Sequence, residues 1–149
     1  MKVQIVNKST NPLPAYQTNG AVGLDLQANE STMIEPGQRS LISTGIYIAI
    51  PEGFEGQVRP RSGLAINSGI TILNTPGTID SDYRGEVKVI LYNSSKDSTL
   101  NINIGDRIAQ LIISPIQKVE LEEVQELDET DRGEGGFGST GITDEVEPD

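Results

Sequence analysis

Apolar and polar residues alternate at a two-residue period along most of this chain, in short runs. The longest covers residues 41–50, where Ile42, Ile46, Ile48 and Ile50 fall on one face. Residues 3–6 begin the pattern, and Leu24, Leu26 and Ala28 then alternate with Gly23, Asp25 and Gln27. It continues at 56–59, at Ile70 and Ile72, at Val87, Val89 and Leu91, at Leu100, Ile102 and Ile104, at 108–113 and at 116–121. Successive side chains of an extended chain face opposite sides, so each run predicts a half-buried strand. Pro12, Pro14, Pro36-Gly37, Pro51, Pro60, Pro76-Gly77 and Gly105-Asp106 punctuate the runs. Many short strands at this spacing predict an all-β fold, a jelly-roll-like distorted β-barrel. One short helical segment interrupts it at 62–68, with Ser62 placed to cap it and Gly69 to end it.

Residues 69–92, GITILNTPGTIDSDYRGEVKVILY, read as one long hairpin with turn chemistry between two apolar arms. Its tip would present carboxylates, a phenol and free backbone groups. Asp80 and Asp82, two residues apart in a segment read as extended, are expected to have different jobs. After Val124 the alternation stops. Like charges crowd 122–134 and glycines crowd 133–140, a composition that buries too little apolar surface to offset its ordering entropy. The expected organisation is a β-barrel domain at 1–124 and a flexible acidic tail at 125–149 that orders on a ligand or a neighbouring subunit.

At 149 residues there is room for one core. No apolar run approaches a membrane span, and the first residues alternate like a strand rather than forming the apolar block of a secretory signal, so a soluble, cytoplasmic protein is expected. The absence of cysteine and histidine removes disulfides, thiolate nucleophiles, the usual zinc ligands and histidine acid/base chemistry. Carboxylates, hydroxyls, arginines, backbone amides and a hard, oxygen-bound cation are left. The net charge of −11 is concentrated: ten of the eleven basic residues precede residue 119, and Arg132 alone follows it. The body is therefore neutral and can accept a phosphate ligand. No basic stripe with aromatic platforms predicts nucleic-acid binding.

Three stretches carry the candidate chemistry. Arg59-Pro60-Arg61-Ser62-Gly63 closes a strand and opens the helical segment, offering a guanidinium, a hydroxyl and amides to an oxyanion. Gly105-Asp106-Arg107-Ile108-Ala109-Gln110 reads as a turn into a strand, with Asp106 and Arg107 a structural pair. In 132–141, RGEGGFGSTG, successive glycines let amides approach a polyanion, and Ser139 and Thr140 add hydroxyls. That loop lacks the Lys-Ser/Thr ending of a Walker motif. Phe137 has little local core to join and suits a stacking lid for a planar ring.

In order along the chain, residues 21–26, 60–65, 74–86, 105–111 and 132–141 resemble the five motifs of the trimeric dUTPase family, with Val22 where that family usually has alanine. The resemblance implies a homotrimer with an exchanged, mobile C-terminal tail, and hydrolysis of dUTP to dUMP and pyrophosphate. It implies that Asn74, Thr78, Ile79 and the main chain near Lys88 surround uracil, that Tyr83 packs beneath the sugar, and that Asp80 holds the 3′-hydroxyl and orients the attacking water. Whether Asp80 also takes a proton stays open. Asp82 and Arg84 are left to stabilise the hairpin. Arg61, Ser62, Gly63 and Gln110 would grip the α- and β-phosphates, and Asp25 would reach Mg²⁺ through water while the triphosphate holds the ion. Arg132, Gly138, Ser139 and Thr140 would close on the γ-phosphate and Phe137 on the base. Two other readings share these residues: a deaminase acting on dCTP, and a catalytically idle nucleotide-binding or regulatory protein. The acidic extension 142–149 is the one pointer to a regulatory function, or a regulatory protein partner, alongside catalysis.

Overall fold

The computed structural model describes residues 1–141. Ten strands and one helix follow in the order β1 (Gln4–Asn7), β2 (Leu24–Gln27), β3 (Thr32–Ile34), β4 (Arg39–Ala49), β5 (Phe54–Arg59), α1 (Ser62–Ser68), β6 (Ile70–Ile72), β7 (Gly77–Ile79), β8 (Glu86–Asn93), β9 (Leu100–Ile102) and β10 (Arg107–Pro115). Two antiparallel four-stranded sheets, ordered β1-β4-β8-β6 and β2-β10-β5-β7, are joined by a β3-β9 ribbon. Their inward side chains form one apolar cluster. Ile42 and Ile48 of β4 and Val87, Val89 and Leu91 of β8 meet Leu26, Val58 and Leu111 of the other sheet, and the ribbon adds Ile34 and Ile102. The strands are short and each donates one face, which is why their sequence alternates.

Four expectations are corrected. Residues 69–92 do not form a simple hairpin. β6 and β8 pair antiparallel, with Ile72 opposite Leu91, but the connection between them leaves that sheet and lays β7 against β5, with Thr78 opposite Gln57. The Thr75–Pro76 peptide in this connection is cis. Asp80 and Asp82 do not follow strand alternation either, because β7 ends at Ile79 and a turn begins, closed by Tyr83 N–H donating to the Asp80 carbonyl at 3.2 Å. In α1, Arg61 is the N-cap and Ser62 the first helical residue, with no side-chain cap; Gly69 does end the helix, at φ 65°. Residues 116–121 are not a strand. The ladder between β10 and β5 stops at Pro115, opposite Phe54, and Val119 and Leu121 beyond it are 71% and 90% exposed.

The residues divide into two compact units, Met1–Lys118 and Val119–Asp149. The apolar residues late in the first unit separate by role. Ile102 and Ile108 join the core cluster, Ile112 is buried outside it, and Ile104 is exposed. The described part of the second unit holds no strand or helix, and the acidic extension 142–149 lies outside the described residues.

Candidate active site

Register places the first group of site residues in one row. Asp25 of β2 lies opposite Gln110 of β10, and Gln110 lies opposite Arg59 of β5 on its other side. Cross-strand partners face the same way, so Asp25, Gln110 and Arg59 share one face of the sheet. Gln110 Nε2 donates to the Pro60 carbonyl at 3.0 Å, tying the strand to the segment that opens α1. Arg61 Nε stands 3.8 Å from Asp25 Oδ1, and Arg61 Nη1 donates to the Arg107 carbonyl at 2.9 Å. Gly23 packs closely on Gln110: a Cβ on it would crowd that side chain, 2.7 Å from Oε1 and 3.0 Å from Cβ.

Arg107 is the residue the sequence reading missed. Its Nε lies 3.7 Å from Asp25 Oδ2, so one carboxylate, only 16% exposed, is flanked by two guanidinium groups. The expected Asp106–Arg107 pair does not form: Asp106 instead accepts the Asn103 amide at 2.8 Å and closes the turn. The signal was present in the alternation, since residue 107 opens the strand that carries Gln110, but a one-residue bulge between Arg107 and Ala109 disguises which face it serves.

A second group lines a cleft of about 270 Å³ formed by Leu41, Thr78, Ile79, Tyr83, Glu86, Val87, Lys88 and Ile90. Four predicted residues, Thr78, Ile79, Tyr83 and Lys88, thus share one cavity wall. Tyr83 donates its hydroxyl to the Glu86 carbonyl at 2.9 Å and lies against Gly85, where a Cβ would overlap the Tyr83 hydroxyl and the ring carbons beside it. Asn74 is exposed in the loop before β7. Asp80 faces a different cleft, together with Ser81, Asp82 and Arg84. Arg84 donates to the carbonyls of Ser81 at 2.7 Å and Tyr83 at 2.9 Å and so braces the turn.

Ser62 and Gly63 are exposed at the start of α1. In the second unit, Arg132 Nε donates to the Gly135 carbonyl at 2.8 Å. Phe137 has φ 51° and is fully exposed, and Gly138 has φ 89°. The amides of Ser139 and Gly141 close small turns on Gly136 and Gly138.

Among the described residues no group of three carboxylates forms a metal cage. Asp25 is the single carboxylate at the arginine cluster. One hard oxygen donor suits Mg²⁺ only as an ion that keeps water and takes its remaining ligands from phosphate. No helix among the described residues is long and apolar enough to cross a membrane.

A family model described as dUTPase matches residues 9–141. The deoxyuridine 5'-triphosphate nucleotidohydrolase of Finegoldia magna is 56% identical over 123 residues, covering 80% of this chain and 85% of the relative. Its counterpart in Wolbachia pipientis wMel is 59% identical over 109 residues, covering 72% and 71%. Among solved structures, a mutant dUTPase of Staphylococcus bacteriophage 80alpha with dUpNHpp matches with a TM-score of 0.88 at 28% identity, over 95% of this chain and 99% of that one. A mutant dUTPase from phage phi11 of S. aureus, described with a coordinated structural Mg(II) ion, matches with a TM-score of 0.79 at 26% identity, over 87% and 100%.

Proposed function

The chain belongs to the dUTPase family and hydrolyses dUTP to dUMP and pyrophosphate, and from that premise we propose how its residues divide the work. The convergence of Asp25, Arg61 and Gln110 from three separate elements is the observation that carries the reading. Arg61, Ser62, Gly63 and Gln110 bind the α- and β-phosphates. A fixed guanidinium stabilises charge that grows on the transferring phosphoryl oxygens, and it needs no reorganisation as the reaction proceeds.

Asn74, Thr78, Ile79 and the main chain at Lys88 receive uracil. Tyr83 forms the floor of the sugar site and leaves no room for a 2′-hydroxyl. The steric argument is the same for the base: fixed donors and acceptors in a narrow cleft mismatch cytosine and reject the thymine methyl. Asp80 holds the 3′-hydroxyl and orients the water that attacks the α-phosphorus, as the bond to the bridging oxygen breaks and pyrophosphate departs. Asp25 would reach Mg²⁺ through water while the triphosphate supplied most of its ligands, and the ion would neutralise charge at the phosphates. In the second unit Arg132, Gly138, Ser139 and Thr140 take the γ-phosphate and Phe137 stacks on the base, so that the tail serves as a lid.

The enzyme works as a homotrimer. Within one chain the arginine cluster and the Tyr83 cleft are built from different residues. A neighbouring copy completes each site, the tail being contributed from outside the chain that binds the base. The reaction removes dUTP from the pool available to DNA synthesis and supplies dUMP for dTMP synthesis, in the cytoplasm.

Hydrolysis in ¹⁸O-water tests the point of attack. The label is expected in the phosphate of dUMP and not in pyrophosphate. Label in pyrophosphate would mean attack at the β-phosphorus and would overturn the assignment of Asp80.

A further inference from the structure

Glu86 has no part in the division of work above, yet it is fixed at both of its ends. Its side chain is 17% exposed. The carboxylate accepts the Gly45 amide at 2.8 Å and the Ser43 hydroxyl, and its other oxygen stands 3.7 Å from Lys88 Nζ. Its main-chain carbonyl accepts the Tyr83 hydroxyl at 2.9 Å.

The anchor on the far side is a built feature. β4 carries an irregularity where the register jumps from Ser43 opposite Lys88 to Ile46 opposite Val87, so Thr44 and Gly45 are inserted. Gly45 takes φ 68°, and a Cβ there would strike Ser9 at 2.8 Å. The Thr44 hydroxyl donates to the Val87 carbonyl inside the core. A bulge of this kind re-aims backbone donors, and here it turns an amide toward Glu86.

The turn that carries Tyr83 has little else to hold it. Its remaining side-chain hydrogen bonds, from Arg84 to the Ser81 and Tyr83 carbonyls, stay within the turn. Among the described residues the Tyr83–Glu86 bond is the only side-chain hydrogen bond that ties residues 80–85 to a strand. A ring that rejects a substrate for one extra hydroxyl must be held to a fraction of an ångström, since a misplacement of about 1 Å can cost roughly 10²-fold in rate.

We propose that Glu86 is a positioning residue for substrate selection: clamped to the β4 bulge, it fixes the carbonyl that holds Tyr83 and so sets the preference for deoxyribose over ribose. The inference rests on the reading of Tyr83 as the floor of the sugar site. Lys88 belongs to the same arrangement, because the carboxylate that anchors the carbonyl also faces its ammonium.

The test is the ratio of kcat/KM for UTP to that for dUTP. Both substrates are turned over by the same folded population, so the ratio does not respond to loss of folded enzyme. Glu86→Ala is expected to raise it roughly tenfold. Glu86→Gln keeps Oε1 as acceptor for Ser43 and Gly45 and loses only the ion pair, and is expected to stay within about twofold of the parent. Ser43→Ala removes one of the two anchoring bonds and serves if Glu86→Ala does not fold; it is expected to raise the ratio by about threefold. Tyr83→Ala is measured beside them. No change in the ratio for Tyr83→Ala would overturn the sugar-site reading itself. A raised ratio for Tyr83→Ala, with Glu86→Ala and Ser43→Ala both at the parent value, would overturn the role of Glu86 and leave that reading intact.

Discussion

Arg61 is held in place by Asp25: Nε stands 3.8 Å from the carboxylate, and the same guanidinium donates to the Arg107 carbonyl at 2.9 Å. An arginine fixed in this way can meet a polyphosphate without first losing rotamer freedom. Arg61→Ala is expected to lower kcat/KM for dUTP by about 10²–10³. Arg61→Lys restores little, because an ammonium cannot reproduce the planar fork. Steady-state kinetics on the two variants decide it, and near-parental activity of the lysine enzyme would count against a forked contact.

Asp80 is assigned to orienting the attacking water, an interaction made productive only as the reaction proceeds. Asp80→Asn is expected to lower kcat by about 10²–10⁴ with a small change in KM. Rapid-quench measurement of the chemical step separates this from slow product release. A large rise in KM with kcat preserved would reassign Asp80 to substrate binding alone.

Arg132 is the one basic residue of the chain after Lys118, in a segment otherwise rich in carboxylates. Without it that segment opposes a triphosphate. Arg132→Ala is expected to raise KM and lower kcat together, and an unchanged kcat/KM would remove it from the site.

Glu86 predicts a pH dependence of stability. Burial opposes its ionisation, but the Ser43 hydroxyl, the Gly45 amide and the Lys88 ammonium more than offset that and hold its carboxyl below the ordinary 4.5. The unfolded chain then binds the proton more readily than the folded one, so stability rises with pH across the interval between the two values. The contribution is fully present above 4.5 and is lost as pH falls through the lowered folded value. In Glu86→Gln, the fall of the unfolding midpoint on acidification below that pH should be shallower than in the parent. Parallel acid limbs would contradict it.

The long strands were legible because each buries one face. Val87, Val89 and Leu91 announce β8, and Ile42, Ile46 and Ile48 announce β4. β3 was not, because only Ile34 of its three residues is buried and three residues cannot display a period. The run 116–121 shows the opposite failure. Its apolar residues have strand spacing, but a strand also needs a paired edge, and Pro115 ends the ladder that would have continued into it.

The chemistry of the site was more legible than its supports. Arg61 and the Tyr83 turn stand out as residue types in recognisable stretches, whereas Gln110 enters only through the resemblance of its stretch to a family motif. Arg107 and Glu86 do not stand out, since what they do depends on a register shift in β10 and on two inserted residues in β4. Alternation carries no trace of a bulge before the partner strand is known. The excursion of β7 to the second sheet was hidden for the same reason: a hairpin and a sheet-switching connection have the same turn residues.

The most direct measurement is pyrophosphate release with Mg²⁺ from dUTP, run beside dTTP, dCTP and UTP. Rapid release from dUTP, with the other three slower by orders of magnitude, is the predicted result and follows from a cleft that reads both base and sugar. Comparable release from UTP or dTTP would contradict the assignment of that selectivity to the Tyr83 cleft, and ammonia from dCTP would contradict the reaction itself.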